Sequence, residues 1–125
     1  MTGFDWSDFL LLARDIVARS SSPSEAACRT AASRAYYAAF HVIRETVETR
    51  TGQQLGQVNV HRELLRCLRE QLARDDLAVL LERLLRRRGH ADYNGERPFA
   101  VGTAVAALEL ADRALAEARA WSRDR

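Results

Sequence analysis

Between Pro23 and Gly52 the chain contains neither proline nor glycine, and alanine recurs along it at helical spacing. A stretch of that kind is committed to one long helix, because alanine gives up the least on entering a helix and no breaker interrupts it. Ser22-Pro23-Ser24-Glu25 reads as its capping box, with proline at the first helical position, and the helix should run to about Thr49 and end before Gly52. Three lines run along it. Tyr36, Phe40, Ile43 and Val47 form an apolar stripe, and Ala27, Ala31, Ala35 and Ala38 form a flat strip that a second helix can approach closely. The third line, Arg34, Tyr37 and His41 with Arg44 or Glu45 one turn on, is polar and aromatic, either a solvated edge or a binding edge.

The rest of the chain must supply helices to pack on this one. Trp6, Phe9, Leu10, Ala13, Ile16 and Val17 fall at three- and four-residue steps, which predicts an amphipathic helix from Asp5 to about Arg19, capped by Asp5 or Ser7. Asn59 is a reasonable cap for a third helix that continues to Leu72, and Arg74-Asp75-Asp76 caps a fourth from Leu77 to about Ala91. Asn94 to Pro98 is a turn, and a last helix runs from near Val101 or Thr103 to Trp121. Two prolines and six glycines in 125 residues, with no strand-like alternation, leave an all-α, up-down helical bundle of about four to five helices. Residues 1–125 suit a single domain with a core of its own.

Composition narrows function mainly by exclusion. Nineteen basic against seventeen acidic side chains give a net charge of +2, too balanced to argue for nucleic acid on charge alone. Cys28 and Cys67 form no ligand-spaced pair and read as reduced thiols of a cytoplasmic protein. No long apolar run or leader-like start is present, so no membrane partner is expected. His41, His61 and His90 are not at metal spacing and no phosphate loop occurs, so neither a metal nor a cofactor is expected.

The chemistry concentrates in Leu84–Tyr93, LLRRRGHADY. Stepping back from Arg88 by helical spacing gives Leu84, Leu81 and Leu77, so this arginine continues a leucine face, whereas Arg83, Arg86 and Arg87 point away from it. Asp92 is one turn beyond Arg88, within reach if the helix persists. A guanidinium on an inner face is either neutralised there as a strut or available to grip a phosphate with its planar fork. His90 could act with Arg88 only if the helix unwound near Gly89, Arg87 adds positive potential, and Tyr93 is either a functional hydroxyl or an aromatic plug.

Two stretches together resemble a known family. Arg29-Thr30-Ala31-Ala32-Ser33-Arg34-Ala35-Tyr36-Tyr37-Ala38-Ala39-Phe40-His41, followed by Arg88-Gly89-His90-Ala91-Asp92-Tyr93, is similar to the prokaryotic HEPN domain family, and the likeness spans nearly the whole chain. It implies a helical bundle that forms a homodimer, toxin-like or defence-associated, often paired with a small nucleotidyltransferase antitoxin. Active members of that family cleave RNA without metal: an arginine stabilises charge on the phosphorane and a histidine a few positions on moves protons. Here Arg88 matches the arginine, Gly89 stands where a polar residue is usual, His90 comes early, and Asp92-Tyr93 occupies the place of the histidine. In related pairs a tyrosine just after the motif is modified with AMP by the partner, and Tyr93 is its approximate counterpart. Three readings follow. One is a metal-independent endoribonuclease using Arg88, Asp92, Tyr93 and His90, with Arg34, Tyr37, His41 and Arg87 binding RNA or nucleotide. The second is a non-catalytic module that binds a nucleotide or docks the nucleotidyltransferase, and the third a structural dimer in which Arg88–Asp92 is an internal strut.

Overall fold

The computed structural model describes residues 3–124. They form α1 (Asp8–Ala18), α2 (Glu25–Thr51), α3 (Val60–Arg66) running into a π-helical turn (Cys67–Gln71), α4 (Asp75–Tyr93) and α5 (Val101–Arg123), with no strand among the described residues. The fold is the all-helical bundle expected from the sequence. α2 is its axis, packed against α1, α4 and α5, while α3 lies across the edges of α2 and α4.

Small side chains explain the close approach along that axis. Ala31, Ala32, Ala35, Ala38 and Ala39 of α2 are fully buried, as are Ala104, Ala107, Ala111, Ala114 and Ala118 of α5. The larger core side chains stand beside this seam: Tyr36, Ile43 and Val47 from α2, Leu64 and Leu68 from the α3 region, and Leu77, Leu81 and Leu84 from α4. Burying each of these leucines contributes about 1.5–3 kcal/mol relative to leaving it in water.

Helix directions can be read from the arginines that cap them. Arg50, near the end of α2, donates to the carbonyls of Trp121 and Asp124 at 2.8 Å each, so α2 and α5 finish together and run the same way. Arg29, near the start of α2, bonds carbonyls at the end of α4, so α4 runs opposite to α2. Arg14 pairs with Asp112 and ties α1 to α5.

Helix ends differ from expectation in four places, the first at α1, which begins at Asp8 rather than Asp5 and whose cap residue Ser7 makes no side-chain capping bond. Ser24, not Ser22, caps α2: its Oγ accepts from the Ala27 N–H at 3.1 Å, which satisfies a donor that the helix leaves free, and Pro23 precedes the cap. The helix closes as expected at Gly52, whose φ of +71° is the left-handed C-terminal conformation, with its N–H on Glu48 O. α4 begins at Asp75, two residues before Leu77, which places both Asp75 and Asp76 in its first turn where the helix dipole favours them. The third helix does not reach Leu72 as a regular α-helix. Leu72 N–H bonds Cys67 O at 3.1 Å, Ala73 takes a positive φ of 54°, and Arg74 N–H returns to Leu68 O at 2.7 Å. The wide turn keeps Leu72 against the core while stopping the helix in time for α4.

Candidate functional site

Arg88 leaves α4 on the face of Leu77, Leu81 and Leu84, each no more than 1% exposed. The helix continues without a break through Gly89 to Tyr93, so the residue one turn on stays in register. Asp92 Oδ2 lies 3.1 Å from Arg88 Nε, with the two side chains 29% and 20% exposed. That Nε is buried and lacks hydrogen-bond geometry, so the pair is a charge contact with the orientation left unfilled. Asp92 Oδ2 instead accepts a hydrogen bond from Ser33 Oγ at 3.0 Å, and Ser33 is buried on α2.

The far end of the guanidinium is arranged differently. Arg88 Nη2 donates to Tyr37 Oη at 2.8 Å and to Tyr93 Oη at 3.2 Å, and its carbon lies 5.4 Å and 5.1 Å from the two ring centroids. One cation thus holds two phenols from two helices. Tyr37 is half-buried on α2, whereas Tyr93 is 74% exposed at the end of α4 and plugs nothing. Since both phenol oxygens accept from Nη2, each still has its own O–H to donate. Nη1 is not buried and donates no hydrogen bond to a described residue. The guanidinium therefore keeps Nη1 free beside two phenols that share Nη2.

Beneath Tyr37 lies a second aromatic layer. Tyr36 is fully buried and its hydroxyl is hydrogen-bonded to His61 Nδ1, while the His61 ring stacks 4.3 Å from Phe40. Burial pushes the Tyr36 phenol well above its ordinary range, assisted by Tyr37, so its proton stays on. Burial first, then the positive charges of Arg88 and Arg44, push His61 down. A protonated phenol and a neutral imidazole agree on one arrangement, in which the O–H donates to Nδ1.

The residues expected to act together divide into groups. Arg88, Asp92, Tyr93 and Tyr37 form one cluster. His90 does not join it, because the unbroken helix turns its ring to the opposite side, where Nε2 lies 3.1 Å from Arg97 O and the ring packs on Phe99 at 4.8 Å. Arg34 lies over Phe9 at 5.0 Å, and His41 stacks on Trp6 at 3.7 Å, so the amino end of α1 covers that edge of α2. Burial, then Arg44 and His61, push the His41 imidazole down. Arg87 lines a separate groove between α4 and α5. Among the described residues, no three His, Cys, Asp or Glu side chains come together as a metal would require. No helix among the described residues is long and apolar enough to cross a membrane.

Neither family models, nor curated proteins, nor solved structures give a match to this chain.

Three residues that periodicity alone did not single out shape the cluster. Ser33 orients Asp92, His61 anchors Tyr36 beneath Tyr37, and Arg29 fixes the end of α4. Ser33 carried a usable signal, since a serine four residues from Arg29 and from Tyr37 stands on the same side of α2. The partner of each lies on another helix, and helical spacing within one segment says nothing about that.

Proposed function

We propose that the Arg88 cluster binds a phosphate group of RNA or of a nucleotide, and that the protein is the toxin-like member of a toxin–antitoxin or defence module of the HEPN type. The observation that carries this reading is that Arg88 Nη2 donates to both Tyr37 Oη and Tyr93 Oη while Nη1 makes no hydrogen bond to a described residue, which leaves Nη1 and the two phenol O–H groups as unused donors around one cation. A terminal phosphate has three non-bridging acceptor oxygens and a phosphodiester two, and either matches a planar guanidinium well. Asp92 balances part of the charge and, held by Ser33, keeps the guanidinium in register without occupying its outer edge. The likeness to HEPN proteins in Arg29–His41 and Arg88–Tyr93 supports the same assignment. On this reading two copies associate and bring the clusters near one another, and a small nucleotidyltransferase is the natural antitoxin partner. An AMP group placed on Tyr93 would set negative charge against Arg88 and remove one of the three donors.

Binding is the reading we favour over cleavage, because no imidazole is hydrogen-bonded to Arg88, Asp92, Tyr37 or Tyr93: His90 faces Arg97 and Phe99, His41 lies under Trp6, and His61 is engaged through Nδ1 by the buried Tyr36. Calorimetric titration with AMP and with a short oligoribonucleotide tests it. Arg88→Ala should weaken binding by about tenfold or more, the loss expected for one charge-assisted contact of about 1.5–3 kcal/mol. Arg88→Lys should restore only part, since an ammonium cannot hold two phenols and a phosphate together. A large fall in melting temperature in Arg88→Ala with unchanged binding would make Arg88 a strut and sink the proposal. Incubating RNA with the protein in EDTA, with Arg88→Ala beside it, decides the enzyme version: loss of cleavage in the variant would promote the site from binding to catalysis.

A further inference from the structure

The chain contains no lysine, so all nineteen of its basic side chains are arginine, and they are unevenly matched. Most arginines of α1, α2 and α3 have a carboxylate partner, as in Arg19–Asp15, Arg29–Glu25, Arg44–Glu48 and Arg66–Glu63. Arg83, Arg86, Arg87, Arg97 and Arg113 form no ion pair with any described residue, and all five line one open groove of about 770 Å³ between α4 and α5. His90 lines it too, and Glu109 is its single carboxylate.

Spacing makes this a track. Arg83 and Arg87, and Arg86 and His90, stand one turn apart on α4, so the basic groups extend about 10 Å along that helix at 1.5 Å per residue. Arg113 faces them from α5, and Arg97 closes the end at the turn between the helices. That turn is held in place: Arg97 O accepts from Arg29 Nη2 at 2.7 Å and lies 3.1 Å from His90 Nε2. Past Arg83 and Arg113 the adjoining hollow is also lined by Asp75, Asp76 and Glu117, of which Asp76 and Glu117 are paired with Arg74. The run of unpaired arginines therefore ends in a mixed-charge hollow on one side and at a fixed turn on the other.

We infer that the α4–α5 groove binds the phosphodiester backbone of a single nucleic-acid strand. An extended polyanion matches unpaired guanidinium groups set in two rows, which it would neutralise with release of counterions. An acidic protein partner fits less well, since interface cores use aromatic and large apolar anchors and this groove offers only Pro98, Ala100, Ala106 and Leu110. The lining also lacks an aromatic side chain for bases to stack on other than the His90 ring, which already packs on Phe99. Recognition is then through the backbone and tolerant of sequence. The groove is separate from the Arg88 cluster, whose guanidinium turns toward α2, and it does not depend on what that cluster binds.

The experiment is fluorescence anisotropy with labelled oligouridine and oligodeoxythymidine of roughly 12 nucleotides, over about 50 to 200 mM salt. Wild type should bind both strands with similar affinity and weaken steeply with salt. Arg83→Gln with Arg113→Gln should lose about tenfold in affinity and flatten the log–log salt slope by about 0.7 for each arginine removed. Arg86→Gln with Arg97→Gln should do the same from the other end. Arg19→Gln with Arg66→Gln, which removes equal charge from paired arginines elsewhere, should leave affinity within about threefold. All four exchanged groove positions are exposed at the surface, so unchanged melting curves are expected and confirm that binding alone was altered. Unchanged affinity in both groove pairs, an equal loss in the charge-matched control, complete displacement by polyglutamate of matching charge, or a preference for ribose above about tenfold would each overturn the assignment.

Discussion

Arg29 holds four backbone carbonyls with one side chain: His90 O at 2.9 Å, Ala91 O at 3.0 Å, Asn94 O at 3.1 Å and Arg97 O at 2.7 Å. Among them, His90 O also accepts from the Asn94 N–H at 3.2 Å, whereas Ala91 O in the last turn of α4 takes no backbone N–H among the described residues. Arg29→Ala should therefore destabilise the protein by about 1–3 kcal/mol, read as a shift in urea midpoint, because two part-buried acceptors and two exposed ones lose a charged donor at once. Arg29→Lys should recover less than half, as an ammonium cannot span that set of acceptors. Nothing in the sequence marked this residue as a cap, since its partners lie more than sixty positions away. Arg88 was more legible. An arginine continuing Leu77, Leu81 and Leu84 interrupts an apolar periodicity, and that irregularity is visible without any structure. Its contact with Asp92 followed from one helical turn, whereas Tyr37 and Ser33 come from a helix whose pairing with α4 no local pattern states.

At the level of elements, strong periodicity and punctuation made the helices readable and left their junctions uncertain. The five helices fall close to where leucine and alanine spacing puts them, and Gly52 ends α2 as a left-handed cap should. The π-helical turn was not readable, because its bonding depends on Leu72 being drawn back to Cys67 by the core rather than on the preference of any residue. Its exit is the instructive position. Ala73 adopts φ +54°, a conformation in which a β-carbon costs about 1–2 kcal/mol and glycine nothing. Ala73→Gly should thus raise stability by up to about 1 kcal/mol after the added freedom of the unfolded chain is subtracted, a rise in melting temperature measurable by circular dichroism. An unchanged or lowered melting temperature would mean that Ala73 bears no such strain.

For the molecule as a whole, the histidines set the response to acid. His41 and His61 are both held below their ordinary pKa, in each case chiefly by burial. In the unfolded chain they take up protons near pH 6.5, and in the folded protein only at lower pH. The unfolded state therefore binds more protons as the pH falls below about 6.5, and stability is lost with acidification until the folded pKa values are passed. Melting temperature should decline between about pH 7 and pH 5, and His41→Gln with His61→Gln should flatten that decline even if it lowers the starting value. A wild-type curve level across this range would count against both assignments.

His41 has a further consequence through the ring it touches. Trp6 stacks on it at 3.7 Å and is the one indole on that side, since Trp121 is buried elsewhere with Arg50 and Arg74 over its face. Indole emission is quenched by an adjacent imidazolium far more than by an imidazole. The junction of α1 with α2 thus carries a built-in optical gauge: the brightness of Trp6 reports the charge on a histidine one turn along α2 from Tyr37, with no label attached.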